Sequence, residues 1–211
     1  MARWLRWREW RATMPVDPRP LASLLDRFVA IDVETTGLDV NRDAIVSVSV
    51  VPFREGCPAE GYDTLVNPGR PIPRVSTRIH GITDGMVADA PRLGDVLDEV
   101  EARCGEDAVV GHGVAFDLAL LERERRARDR PPLPNTALCT MRLAAALHPG
   151  WGDVALESLA GRLGVPVVGR HTARGDAVIA GAIMLSLLPE LARRGHRTLE
   201  DAVWLQRSVL P

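Results

Sequence analysis

Arg27-Phe28-Val29-Ala30-Ile31-Asp32-Val33-Glu34-Thr35-Thr36-Gly37 joins an apolar run to two carboxylates, and its reading decides the fold. Phe28 to Ile31 read as a buried strand. Asp32 and Glu34, two apart at its end, project from one face and can share an ion, while Val33 turns the other way into the core. Thr35-Thr36-Gly37 then ends the strand in a tight turn, whose amides and hydroxyls could hold a phosphate or a sugar hydroxyl.

Downstream, Ile45 to Val51 alternates Val46, Val48 and Val50 with Ser47 and Ser49, the pattern of a half-solvated strand. A third strand is predicted from Tyr62 to Val66, closed by Asn67-Pro68-Gly69. Three strands with no room for crossover helices imply an antiparallel meander. The texture then changes to strand and helix alternation. Helices are predicted over Arg92 to Cys104, Phe116 to Ala127, Thr140 to Leu147, Leu156 to Leu163, Ala173 to Leu188, and Leu199 to about Ser208 with Thr198 as a cap; Ala108 to Val110 is a short strand. On the second of these helices Glu122, Arg123, Arg125 and Arg126 form the exposed side, and the basic stretch from Glu122 to Arg130 reads as a solvated surface that could guide a nucleic-acid backbone. The fold class is α/β: a mixed sheet, antiparallel meander plus parallel strands, flanked by helices.

A chain of 211 residues with net charge -2 fits one compact domain, and any affinity for a polyanion must come from a local surface. All 26 basic residues are arginine, which removes lysine as a general acid or Schiff base. Cys57, Cys104 and Cys139 form no Cys-x-x-Cys pair and read as reduced thiols. With no apolar run that approaches a bilayer span and no secretory signal at the start, the expectation is a cytoplasmic protein with no membrane attachment. Residues 1–20 carry Trp4, Trp7 and Trp10 among arginines, then Pro15, Pro18 and Pro20, and read as a helix with a stiff linker. Residues 21–195 would form the main domain, and 196–211 a terminal helix packed on it.

Two more segments carry chemistry. Gly111 to Asp117 ends in Ala115-Phe116-Asp117, and His171-Thr172-Ala173-Arg174-Gly175-Asp176 opens a long helix. Asp117 alone would serve equally well as a first-turn residue favoured by the helix dipole, and His171 alone as an exposed polar residue. Together with Asp32 and Glu34 they supply four carboxylates and an imidazole. Unit charges 4 Å apart repel by about 4 kcal/mol at an effective dielectric near 20, so such a cluster makes sense with divalent cations to neutralise it.

The three motifs, with Ile79-His80-Gly81-Ile82-Thr83 between them, resemble the DnaQ-like exonucleases, the DEDDh branch of the ribonuclease-H-like fold, over about Arg27 to Leu191. That family includes the proofreading subunit of the bacterial replicative polymerase, oligoribonuclease and ribonuclease T. The resemblance implies a 3'-to-5' exonuclease that releases nucleoside 5'-monophosphates from single-stranded ends. Asp32, Glu34 and Asp176 would hold one Mg2+ or Mn2+, with Asp32 bridging to a second ion that Asp117 helps to fix. All-oxygen ligands favour these hard cations, and two ions about 3.5 to 4 Å apart stabilise both the attacking and the leaving oxygen. His171 would take a proton from the attacking water. By the same resemblance Thr35 and Thr36 would meet the terminal nucleotide, Leu38 would wedge against its base, and His80 and Phe116 would line the pocket.

One departure is visible. Family members commonly carry His-Asn before the second motif, whereas this chain has His112-Gly113, which removes an asparagine amide that would meet substrate but no metal ligand. DNA is the favoured substrate. Alternatives are an RNA-directed enzyme of the oligoribonuclease or ribonuclease T type, and a non-catalytic module that binds single strands or a polymerase. A DNA polymerase or a sliding clamp is a candidate partner, the latter through the tail from Gln206 to Pro211.

Overall fold

A computed structural model describes residues 17–209, so the tryptophan-rich start and the last two residues lie outside the described part. Strand β1 (Arg27–Thr35) is the centre of the sheet, preceded by a single helical turn, α1 (Ser23–Asp26). On one side it pairs antiparallel with β2 (Ile45–Arg54), which carries both β3 (Cys57–Pro58) and β4 (Tyr62–Leu65) on its far edge. On the other side it pairs in parallel with β5 (Val109–Gly111), and β5 with β6 (Ala137–Cys139). The meander and the parallel strands both match the expected class.

Helices α2 (Arg74–His80) and α3 (Asp84–Val87) follow β4; α4 (Leu93–Cys104) leads to β5, and α5 (Ala115–Arg126) crosses to β6. Then come α6 (Thr140–Leu147), α7 (Leu156–Leu163), α8 (Ala173–Arg193) and α9 (Leu199–Ser208). Alternation along β1 divides the core. Phe28 and Ala30 join the cluster built on α6 to α9, while Val29, Ile31 and Val33 join the cluster under α4 and α5. Asp32 and Glu34 share the parity of Phe28 and Ala30, so the strand period aims both toward the α8 layer.

Strand β2 departs from its half-solvated pattern. Ser49 is fully buried, because helices cover both faces of the sheet at this strand, and its hydroxyl donates to Asp63 on β4. Helix α8 runs past Pro189 to Arg193 rather than stopping at Leu188, since Leu191 is fully buried in the core and tertiary packing overrides the breaker. By length and composition α8 could cross a bilayer, contrary to the expectation from the sequence, with mean hydropathy 1.5, but 56% of that window is buried inside the protein, as befits a core helix.

Two surface readings also change. Arg125 is 4% exposed, not outward-facing: it pairs with Glu101 and donates from Nε to the Pro131 carbonyl at 3.0 Å. Arg128 and Arg130 are paired with Glu124 and with Asp98 and Glu101, so the basic stretch is largely neutralised within the fold. Gln206 is 5% exposed; its Oε1 accepts from the Cys139 amide at 2.7 Å and its Nε2 donates to the Ala137 carbonyl at 2.8 Å. Its amide thus completes the edge of β6 as a further strand would, and is not free to dock on a clamp. Residues 17–20, the described part of the expected stiff linker, are tied to the domain: the Arg19 carbonyl accepts from Leu199, Pro20 bridges Thr198, and the Thr136 hydroxyl donates to buried Asp17.

Candidate active site

The ladder between β1 and β5 ends at Ala30 and Val110, leaving the last residues of β1 without a strand partner on that side. Asp117 fills the gap: its Oδ1 accepts the Val33 amide at 3.0 Å. The carboxylate sits in the first turn of α5, where the helix dipole favours it, and where the short β5 delivers the chain beside the end of β1. On the opposite side of β1, the register with β2 slips between Glu34 and Thr35, so the strand bends away as it enters the Thr35-Thr36-Gly37 turn.

Asp176 reaches the same spot from α8. Thr172 caps that helix, its hydroxyl accepting from the Gly175 amide at 3.0 Å and donating to the Gly169 carbonyl at 2.6 Å. The loop therefore folds back on the first helical turn. A Cβ on Gly175 would lie 1.9 Å from the Gly169 carbonyl oxygen, so this close approach admits only glycine. His171 takes a left-handed φ of 63°, and its amide donates to Asp176 Oδ1 at 3.3 Å.

Ligand oxygens of Asp32, Glu34 and Asp176 come within 4.8 Å of one another. Asp117 adjoins them: its charge is felt at Asp32, and it in turn feels the charge of Glu34. Burial is the largest cause of perturbation at all four. It holds Asp32 well above the usual carboxylate range, with the charges of Asp117, Asp176 and Glu34 adding to it. Glu34 is pushed up to about 7 by burial and then by Asp176. Asp117 also rises to about 7, again through burial, against the pull of the backbone amides that it accepts. Asp176 is raised by burial and held back by Arg170 and His171. Oxygen donors that resist ionisation together and carry no thiolate among them fit a hard divalent cation, which would relieve their mutual repulsion.

The five residues proposed for chemistry from sequence are thus brought to one place, the His171 imidazole being exposed on its loop beside Asp176. The substrate-contact set divides. Leu38 is 75% exposed and free to meet a base. Phe116 is half-buried against the α5 side of the core. The ring of His80 accepts the Ile82 amide at Nδ1, 3.0 Å, leaving Nε2 as the protonated nitrogen, buried on the side of the Thr35 backbone. Thr36 is corrected: its hydroxyl donates to Asp43 and accepts from Ala44, and its amide bonds the Ala44 carbonyl, so it staples its own turn rather than reaching a ligand. The Thr35 hydroxyl likewise donates to the Gly37 carbonyl at 2.7 Å.

Several contributors carry no sequence signal. Arg123, on α5, donates to the carbonyls of Val40 at 2.5 Å and Asp43 at 2.6 Å, and so pins the loop that presents Leu38. Arg170 contacts Asp176 Oδ2. His112 is pushed down to about 4, mainly by burial and then by Arg170, and its Nδ1 lies 3.0 Å from the Thr140 hydroxyl, so it is neutral near pH 7. Gly113 has φ +79° with open space around the position of a Cβ. Glycine and asparagine are the residues that tolerate this conformation, which explains how glycine replaces the family's asparagine without disturbing the backbone.

Comparison with known proteins agrees with this geometry. A family model described as Exonuclease, the RNase T type, matches residues 29–184. A DNA polymerase III subunit epsilon from Aquifex aeolicus is 34% identical over 170 residues, 80% of this chain and 84% of that protein. A DNA polymerase III subunit epsilon-like protein from Rhodobacter capsulatus is 40% identical over 176 residues, 81% of this chain, but the match spans only 25% of that longer protein. Among solved structures, exonuclease X in complex with 5' overhanging duplex DNA superposes with a TM-score of 0.66 at 29% identity, over 85% of this chain and 99% of that one. E. coli exonuclease I with a dT13 oligonucleotide, at 16% identity and a TM-score of 0.68 over 80% of this chain and 42% of that one, shares the fold. With the family model spanning all four carboxylates and most of both core clusters, the chain belongs to the RNase T exonuclease family.

Proposed function

We propose that the protein is a metal-dependent 3'-to-5' exonuclease that removes nucleoside 5'-monophosphates from single-stranded DNA ends. The observation that carries this reading is the convergence of Asp32, Glu34 and Asp176, from two separate elements, to within 4.8 Å. Asp32, Glu34, Asp117 and Asp176 would hold two Mg2+ or Mn2+ ions. Such ions, when bound, supply charge neutralisation and Lewis-acid stabilisation of the attacking and leaving oxygens. His171 takes the proton of the attacking water at a ring nitrogen, and its exposed loop lets the imidazole close on substrate. His80 and Phe116 line the pocket of the terminal nucleotide, and Leu38 lies against its base. Apolar contacts of this kind grip any base, which suits removal of nucleotides in sequence-independent fashion. The chain would work in the cytoplasm, with a DNA polymerase as the candidate partner, given the epsilon subunits among its relatives.

The test compares labelled single-stranded, duplex and mismatched-end DNA with RNA of equal sequence, in Mg2+, in Mn2+ and in chelator. The expected outcome is stepwise release of mononucleotides from single-stranded or frayed DNA ends, stopped by chelator and by Asp32→Ala. Cleavage that persists in Asp32→Ala refutes the assigned site, and a strong preference for short RNA refutes the substrate.

A further inference from the structure

We propose that Arg170 is a built-in counter-ion of the carboxylate cluster, which must let go of Asp176 before the cluster accepts its cations and which thereby sets their affinity. This rests on reading the cluster as a cation site.

Arg170 lies on the loop between α7 and α8, one residue before His171. Its guanidinium has two anionic neighbours. Inward, Nη1 contacts Asp176 Oδ2; outward, Nε lies 3.4 Å from Glu157 Oε1 on α7. The inward contact is a close hydrogen-bonded ion pair with a buried carboxylate. The outward one joins a 60% exposed side chain, and Nε makes no hydrogen bond. The arm is therefore drawn in while its outer perch stands ready. Its charge bears on Asp32, Glu34 and Asp176 alike.

Both oxygens of Asp176 are engaged, Oδ1 by the His171 amide and Oδ2 by Arg170. A cation entering the triad needs one of them. The amide belongs to backbone fixed by the Thr172 cap, whereas the guanidinium ends a flexible side chain with Glu157 to receive it. Arg170 is the group that moves. It is a positioning residue, acting through Asp176 and touching no reacting atom.

The experiment is calorimetric titration of the full chain with Mn2+ at fixed ionic strength, without substrate, for the wild type, Arg170→Gln, Arg170→Lys and Glu157→Gln. Removing a unit charge that opposes a divalent ion at close range should tighten Mn2+ binding on the order of tenfold in Arg170→Gln. Arg170→Lys, which keeps the charge, should stay near the wild type. Glu157→Gln, which removes the outer perch, should weaken binding a few-fold, on the order of threefold, so the two substitutions act in opposite directions. In chelator Arg170→Gln should melt below the wild type, and saturating Mn2+ should abolish the difference. Unchanged or weaker binding in Arg170→Gln overturns the proposal, as does equal tightening in the lysine variant. Failure of the wild type to bind Mn2+, or undiminished binding by Asp32→Ala, would instead overturn the underlying cation site.

Discussion

Asp117→Asn should make the protein more stable while abolishing catalysis, and the size of the gain should depend on pH. Asp117 is buried, and burial pushes its carboxyl up to about 7 in the folded chain, against about 3.9 for an unperturbed aspartate. A carboxylate raised in this way binds its proton more tightly in the native state than in the unfolded one. Above pH 7 the native chain carries a charge that opposes folding; as pH falls from 7 to 4 this penalty disappears, and below 4 both states are protonated. The gap of about three pH units, at about 1.4 kcal/mol each, sets an upper bound of about 4 kcal/mol at pH 8. Asparagine keeps the oxygen that accepts the Val33 amide and removes the charge. Urea unfolding in chelator should therefore show the variant more stable by several kcal/mol, roughly 2 to 4, at pH 8 and nearly equal to the wild type at pH 4. Adding Mn2+ at pH 8 should restore the wild type through linkage and leave the variant little changed. A variant no more stable than the wild type in chelator at pH 8, or a gain that does not shrink on acidification, would refute the account of Asp117 as a charge that the fold alone cannot tolerate.

Three other outcomes follow from the same geometry. His171→Ala should lower kcat by about 10² to 10⁴ while Mn2+ binding, measured by calorimetry, stays near the wild type. Gly175→Ala forces a Cβ to within 1.9 Å of the Gly169 carbonyl; it should cost about 1 to 3 kcal/mol of stability and disable the nuclease assay by displacing His171 and Asp176. Gln206→Leu leaves the Cys139 amide and the Ala137 carbonyl without their partner, so urea unfolding should show a loss of about 2 to 4 kcal/mol, with specific activity of the folded fraction retained.

The carboxylate centre is legible in the sequence because strand geometry is strict: two acids separated by one apolar residue at the end of an apolar run must share a face, and the helix-initiating segments ending in Asp117 and Asp176 need only be brought to that strand's end. Helices α6 and α7 are legible to the residue, since their apolar spacing is unambiguous. Ser49 misleads because a serine alternating with valines looks solvated until Asp63, fourteen residues on, supplies a partner. Strand β6, at three residues, is too short for any period to show. Arg125 and Gln206 misleadingly read as surface groups: their partners, Glu101 and the backbone of Cys139 and Ala137, come from sequence-distant elements. Arg170 is silent for a related reason, because nothing in a sequence distinguishes an arginine that turns inward to Asp176 from one that turns out to solvent.

Helix α5 carries Asp117 in its first turn and Arg123 six residues later, the second holding the loop that displays Leu38. One helix thus joins the proposed cation site to the surface proposed to receive the last base of a strand. Any shift of α5 that tightens the grip at one end is transmitted to the other, so divalent ion and nucleic-acid terminus should each raise the affinity of the other by the same factor. An inhibitor that props the Leu38 loop away from Arg123 would then lower ion occupancy without coming near a carboxylate.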